Sequence, residues 1–362
     1  SEGNKCSSNK EVFCFNHLIN KGFKLNLPSS LRIESYFSSC QHGKNLFISG
    51  GKDSIGVLNA FFCLTRAFKV EIFNDSTEKT KTEKLTEHFT SIELPSMKTP
   101  RFGHIMLKLE KPESFDQTSP PELSYLFSIG GTIDGSCEYF SFESQTWETL
   151  PCMNQPREKA CAVIVNISDR PKKEEKNPKE HKKSSLKSTI TLTNGSYIYV
   201  FLGYSRKYSK FVSSIERLKL DSILNSEKDK EVSLDTHSTC INSALQKKMV
   251  WEELLIKTNK NFLKKHSMSL IYSNNRDNSN KILLVGGVNA LREETDEVLV
   301  FELDSCGLGI NKDCSLPKKC SFYNGIFDSV LDNRHFLNIS TSSEWVSFNY
   351  KAERFHLVNS HE

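Results

Sequence analysis

One hexapeptide pattern recurs along the whole chain and restricts the fold more than any other feature. It reads EVFCFN from Glu11, EYFSFE from Glu138, EVLVFE from Glu297 and EWVSFN from Glu344, with weaker copies in ERLKLD from Glu216 and AFFCLT from Ala60. In EYFSFE, Tyr139, Ser141 and Glu143 alternate with Phe140 and Phe142. That two-residue period, rich in aromatic and β-branched side chains, predicts a strand packed on one or both faces. Successive copies start 49, 78, 78, 81 and 47 residues apart. The shorter intervals point to a serially duplicated unit of about 50 residues, with insertions stretching the others.

Two further features keep a fixed order around the hexapeptide. Upstream comes an apolar run ending in glycine: LFISGG to Gly51, LFSIGG to Gly131, ILLVGG to Gly287 and a degenerate VFLGY at Gly203. Paired glycines after a strand let the backbone adopt positive φ and let another chain segment approach closely. Downstream comes a short run ending in Leu-Pro, at Leu27-Pro28, Leu94-Pro95, Leu150-Pro151 and Leu316-Pro317. Proline there removes a ladder donor and is expected to end the strand.

The clearest unit runs from Arg101 to Gln155 and predicts four strands: GHIMLKLE, YLFSIGG, CEYFSFE and TWETLP. LPSMKTPR from Leu94 and LPCMNQPR from Leu150 match in frame. Four antiparallel strands per unit, repeated in series, is the signature of a β-propeller blade. The order of double glycine, apolar strand, Trp, Leu-Pro-x-Met and Pro-Arg resembles the kelch repeat over essentially the whole chain. Departures are Ile92 where Trp147 and Trp251 stand in other units, and Asn338-Ile339 in place of the last double glycine.

The resemblance implies an all-β, six-bladed kelch-type propeller whose first blade is incomplete. Its outer half occupies 1–31, and the missing inner strands are expected upstream of Ser1. The remaining blades are expected at 32–100, 101–156, 157–261, 262–318 and 319–362. Polar inserts are expected at 71–90 and at 169–187 and 222–248 of the fourth blade. The Lys/Glu/Pro-rich DRPKKEEKNPKEHKKSSLK stretch from Asp169 cannot bury enough apolar surface to order itself, whereas CINSALQKKMVWEELL from Cys240 is expected to carry a helical turn or more.

Composition excludes several classes. No apolar run approaches the roughly 18–20 residues that span a bilayer, and the first thirty residues lack the order of a secretory signal. The expectation is a soluble, cytoplasmic chain. A formal charge of +4 over 362 residues does not argue for nucleic acid. Eleven cysteines are scattered singly, without CxxC pairs, which suits reduced thiols in the cytosol. SGGKDS from Ser49 lacks the glycine a phosphate loop needs, and CGLGINK from Cys306 lacks the last glycine of a dinucleotide loop. Neither HExxH nor GxSxG is present. No catalytic residue, metal ligand or cofactor is therefore assigned, although some kelch-like proteins are oxidases or sugar isomerases.

The resemblance also implies a binding face, where connectors between units and turns between second and third strands emerge together. The connectors supply Arg32, Arg101, Arg157, Lys264, Lys265, Lys318 and Lys319; the turns supply Lys52, Asp53, Asp134, Arg206, Lys207, Tyr208, Asn289 and Arg292. Of these, Arg32, Arg101, Arg157, Arg206, Lys207, Tyr208, Lys265, Asn289 and Arg292 are the candidate partner-binding residues. Bases outnumber acids, which suits an acidic or phosphorylated protein segment. Two readings of Arg101 and Arg157 stand: they face the partner, or they bond carbonyls and a carboxylate of the repeat itself. The resemblance implies a role in a ubiquitin-ligase adaptor or a cytoskeletal scaffold, with a further domain upstream in the same polypeptide.

Overall fold

Strands form where the two-residue alternation runs, and most of them assemble into short antiparallel sheets. A computed structural model describes residues 11–16, 21–26, 35–74, 81–110, 123–167, 195–223, 249–254, 265–266, 268–274, 280–304, 307–320, 336–340, 345–349 and 354–358. β1 (Glu11–Asn16) pairs with β2 (Lys21–Asn26). β3 (Ser38–His42), β4 (Asn45–Ser49), β5 (Phe61–Asn74) and β6 (Lys81–Leu94) make a four-stranded sheet in chain order. β7 (Ile105–Glu110), β8 (Leu123–Ile129), β9 (Cys137–Ser141) and β10 (Thr146–Leu150) make the next, matching the four strands expected between Arg101 and Gln155.

In the following sheet β11 (Cys161–Ile167) and β12 (Gly195–Phe201) are followed by a small hairpin of β13 (Tyr204–Ser205) and β14 (Lys210–Phe211). The sheet then resumes with β15 (Ile215–Lys219) and β16 (Glu252–Leu254). Beyond it, β17 (Lys265–His266) pairs with β20 (Val288–Asn289). The strands β18 (Ser269–Asn274), β19 (Asn280–Val285), β21 (Thr295–Asp304) and β22 (Gly307–Cys320) form a fourth four-stranded sheet. β23 (Phe336–Ser340), β24 (Trp345–Asn349) and β25 (Arg354–Val358) form a three-stranded one.

The four sheets of four strands pack face to face in sequence order, and this explains the aromatic alternation. All seven residues of β8 are buried, because both of its faces are covered. Leu126 joins Phe140 and Trp147 against Phe47 and Phe61 of the preceding sheet; Tyr125, Phe127 and Ile129 lie in a common core with Ile198, Val200 and Trp251 of the following one. One sheet later the pattern repeats, with Tyr199 and Phe201 meeting Ile282, Leu284 and Phe301. Ring centroids of Phe61–Phe140, Phe61–Trp147 and Phe201–Phe301 are each 5.1 Å apart, within the range where aromatic pairs add to plain area burial. The first strands of successive sheets are neighbours: β3 with β7, β7 with β11, and β11 with β18.

The repeated motifs are the seams between these sheets. The Gly51 N–H donates to the Arg101 carbonyl at 2.8 Å, Gly131 to the Arg157 carbonyl at 2.9 Å, and Gly203 to the Lys265 carbonyl at 3.0 Å. The residue before each true double-glycine donor is glycine for a steric reason. A Cβ on Gly50 would lie 2.5 Å from the Arg101 carbonyl oxygen, and one on Gly130 would lie 2.6 Å from that of Arg157. The Trp and Leu-Pro motifs meet as well: Trp147 Nε1 donates to the Pro95 carbonyl at 2.7 Å, and Trp251 Nε1 to the Pro151 carbonyl at 2.9 Å. Each indole thus buries its ring while bonding its one donor to the preceding unit.

Three expectations are corrected. The stretch 71–90 is not an unpatterned insert, because β5 and β6 run on as a paired ribbon from Phe61↔Leu94 to Asn74↔Lys81. In the sequence Phe68, Val70 and Ile72 alternate with Lys69 and Glu71, and the register sets Glu71 opposite Lys84. Leu316-Pro317 does not end a strand: β22 continues to Cys320, with register shifts on its partner β21. As the last strand of its sheet it has one unpaired edge, where proline is tolerated. Lys318 and Lys319 accordingly lie in a strand rather than a connector. A helical turn is described at 221–223, whereas 224–248 and 168–194, which hold most of the expected inserts, lie outside the described residues. So does the first strand expected in the last unit.

Among the described residues no helix is long and apolar enough to cross a membrane.

Candidate functional site

The glycine–carbonyl seams show that the turns after β4, β8 and β12 lie at the same end as the connectors entering β7, β11 and β18. The sequence candidates divide sharply at this end. Arg101 and Arg157 do not face a partner: they are 0% and 2% exposed. Arg101 Nη1 donates to the carbonyls of Gly130 and Ser136, both at 2.9 Å, and Nη2 to Glu138 Oε1 at 2.5 Å. Arg157 repeats the arrangement with the carbonyls of Leu202 (3.2 Å) and Ser214 (2.9 Å) and with Glu216. Each carboxylate also accepts two backbone amides, Lys98 and Thr99 at Glu138, Asn154 and Gln155 at Glu216.

The physical reason for this correction is local. A guanidinium fork bonds two carbonyls at once, one where the second strand ends (Gly130, Leu202) and one where the following turn leads into the third strand (Ser136, Ser214). Burial pulls Arg157 below its ordinary pKa, and the adjacent Glu216 carboxylate opposes that shift. Lys265 is likewise corrected: it is buried, and its ammonium donates to Thr295 Oγ1 at 3.1 Å.

A signal for these pairs is present in the sequence. Arg101, Arg157 and Lys265 each stand four residues before a first strand, and Glu138 and Glu216 each open a hexapeptide. In the unit containing β3, the equivalent positions are Glu34 and Ala60. Where the hexapeptide lacks its carboxylate, the cation is also missing.

The other candidates are nearer the surface. Arg206 is half-buried and Lys207 and Tyr208 are exposed in the β13–β14 turn, where the Lys207 and Lys210 ammonium groups each lie 5.3 Å from the Tyr208 ring centroid. Arg292 is exposed at φ +63°. Asn289 is partly committed to its own loop: Oδ1 accepts the amides of Leu291 (2.9 Å) and Glu293 (3.0 Å). Arg32 and Lys264 lie outside the described residues.

Arg206 belongs to a cluster that sequence reasoning did not assemble. Its guanidinium carbon lies 4.1 Å from the Phe102 ring centroid, and Lys52 Nζ lies 3.8 Å from the same centroid. Tyr36 adjoins Phe102 at 6.0 Å, with Lys159 Nζ 4.8 Å from the Tyr36 centroid. Three successive sheets contribute: Tyr36 and Lys52 from the first, Phe102 from the second, and Lys159 and Arg206 from the third. Glu158 is the carboxylate among them, with Oε2 2.5 Å from Arg206 Nε. Burial raises its pKa, opposed by Arg206, Lys159 and Lys52. Cations over aromatic faces gain about 0.5–2 kcal/mol each from the ring quadrupole, so the patch is built rather than incidental.

Two histidines lie close by. His104 is buried, its Nε2 2.8 Å from Ser49 Oγ, and burial together with Arg101 holds its pKa well below 6.5. His266 stacks on Phe211 at 5.5 Å, and burial followed by Lys159 lowers its pKa to about 4. Both are neutral when folded and titrate near 6.5 when unfolded. Below about pH 6.5 the unfolded chain takes up protons that the folded chain does not, so stability falls as pH falls. Urea midpoints measured from pH 7 down to pH 5 are expected to decline, with a shallower slope in His104→Gln. An unchanged slope in that variant would show that His104 does not drive the decline.

Four of the described cysteines are not activated. Burial pushes Cys137 and Cys161 up to about 12 and raises Cys63 and Cys152, the opposite of what a nucleophilic thiol needs. Among the described residues no group of three or more His, Cys, Asp or Glu is placed to hold a metal ion. In comparisons with known proteins, no family model matches the chain and no curated protein sequence matches it.

Proposed function

We propose that the chain is a kelch-type β-propeller of six blades acting as a non-catalytic protein-interaction module, with an acidic or phosphorylated segment held on the face formed by its turns and connectors. The observation that carries this reading is the gathering of Lys52, Lys159 and Arg206 over Phe102 and Tyr36 around the carboxylate of Glu158. Glu158 is itself a carboxylate accommodated by these cations, so the chemistry of acid recognition is already present within the chain. A partner's carboxylates or phosphates gain charge-assisted hydrogen bonds there, and the excess positive charge speeds encounter. Face-to-face sheets with adjacent first strands support the propeller. Free thiols at Cys63, Cys137, Cys152 and Cys161 suit a reducing compartment such as the cytoplasm. Roles in a ligase adaptor or a cytoskeletal scaffold follow from the kelch resemblance.

The test is fluorescence polarisation with a short labelled peptide of glutamate and serine, and with its phosphoserine form. Binding to the wild-type chain is expected to weaken as salt rises. Lys52→Ala combined with Arg206→Ala is expected to weaken it by about tenfold or more, since a charge-assisted contact is worth roughly 1.5–3 kcal/mol. Equal affinity in the double variant, with its thermal midpoint close to wild type, would remove the cation cluster from the binding site.

A further inference from the structure

Large apolar side chains left in solvent are not scattered over the described surface. Seven are exposed: Ile55, Val57, Ile92, Ile133, Tyr208, Val250 and Leu291. Five of the seven lie in the turns between second and third strands, and each of the four sheets with four strands contributes at least one. Ile55 is 85% exposed, Ile133 59%, Tyr208 48% and Leu291 76%. Isolated exposed apolar residues need no explanation, but one at the equivalent turn of every successive sheet does.

Two of these turns hold the apolar residue by the same device. Asp53 Oδ1 accepts the Ile55 amide at 2.8 Å, and Asn289 Oδ1 accepts the Leu291 amide at 2.9 Å. In each, an Asx side chain two residues upstream fixes the backbone of the apolar tip. A tip fixed before binding loses less conformational freedom on contact than a mobile one.

We infer that these turns are apolar anchor points for an extended acidic peptide whose large apolar side chains recur about every third residue, with the intervening carboxylates directed to the Lys52–Lys159–Arg206 cluster. The inference rests on the acidic-segment reading above and specifies its ligand. Sheets packed face to face lie about 10 Å apart, and an extended chain advances about 3.3 Å per residue; successive tips therefore match side chains roughly three residues apart. Depth distinguishes this occupant from a lipid surface. The tips are exposed, whereas Lys52, Lys159 and Arg206 are half-buried around the buried Phe102, a recess that single side chains of a peptide can enter and the flat headgroup plane of a bilayer cannot.

The experiment compares two labelled peptides of equal negative charge, one of glutamate and serine only and one with leucine at every third position. The leucine peptide is expected to bind at least about tenfold more tightly, the equivalent of roughly one well-buried aliphatic side chain. Combining Ile55→Ser, Ile133→Ser and Leu291→Ser is expected to erase that advantage while leaving the glutamate–serine peptide's affinity and salt dependence unchanged. Equal binding of both peptides by the wild-type chain overturns the inference but spares the acidic-segment reading. Failure of both peptides to bind overturns the two together. Binding to phosphatidylserine vesicles that is lost in the triple variant, without a leucine advantage, assigns the tips to a membrane and also overturns the inference.

Discussion

Arg157→Ala is expected to cost about 3–5 kcal/mol of folding stability, the usual consequence of removing one partner from a buried ion pair. Glu216 is fully buried at its side chain and would keep the amides of Asn154 and Gln155 but lose its counter-charge. The carbonyls of Leu202 and Ser214, which the guanidinium bonds, would lose donors at the same time. Arg157→Ala with Glu216→Gln is expected to recover about 1 kcal/mol, since no charge is left buried, although the one amide oxygen accepts only one of the two backbone amides that Oε1 and Oε2 accept in the wild type. Arg101→Ala is expected to behave alike through Glu138, because the two pairs have the same geometry. Urea unfolding of the two single variants and the double variant measures these differences. A loss below about 1 kcal/mol in both single variants would mean that the arginines are not structural pins. In that case a direct partner contact would again have to be considered for them.

The legible part of this fold was the part written in short periods. The alternation in YLFSIGG and CEYFSFE located β8 and β9, and the two faces of each strand were correctly separated, Phe140 and Phe142 from Tyr139. The double glycines announced a close approach, although only the seam shows that the approaching atom is the carbonyl of the next Pro-Arg arginine. The same arginine was ambiguous because its type suits both a binding surface and a buried fork. The choice depends on a carboxylate 37 residues away for Arg101 and 59 for Arg157. Comparing the units with one another, rather than reading one at a time, separates the two, since Glu34 and Ala60 lose cation and carboxylate together.

What was not legible was the convergence of connectors. Tyr36, Phe102 and Lys159 carry no local period, and their meeting is set by how three sheets abut. Apolar tips such as Ile55 and Leu291 were equally silent, because a single hydrophobic residue in a polar turn reads as noise until its position recurs. Ladder register is likewise long-range information: the paired ribbon of β5 and β6 was hidden by its charged residues, which β-propensity disfavours and cross-strand pairing tolerates.

Gly130→Ala is expected to destabilise the chain by about 3 kcal/mol or more, whereas Gly43→Ala costs only about 1 kcal/mol. Both glycines have positive φ, +70° and +55°, so both variants incur the left-handed penalty. The surroundings differ. A Cβ on Gly130 would lie 2.6 Å from the Arg157 carbonyl oxygen and 2.9 Å from Met153 Cε; one on Gly43 would meet nothing within 4 Å. The Met153 methyl is the end of a flexible side chain and can give way, but the Arg157 carbonyl is held by the Gly131 amide at 2.9 Å. Relief therefore requires the two sheets to separate at that seam. Gly131 also offers its carbonyl to Arg206 Nη2 at 3.2 Å, so separation would displace the guanidinium that lies over Phe102. Gly130→Ala should accordingly weaken binding of the glutamate–serine peptide as well as stability, and Gly43→Ala should leave binding unchanged. Matching urea midpoints for the two variants would show that the close approach at Gly130 does not constrain the chain. A destabilised Gly130→Ala that kept full affinity would separate the seam from the cation cluster.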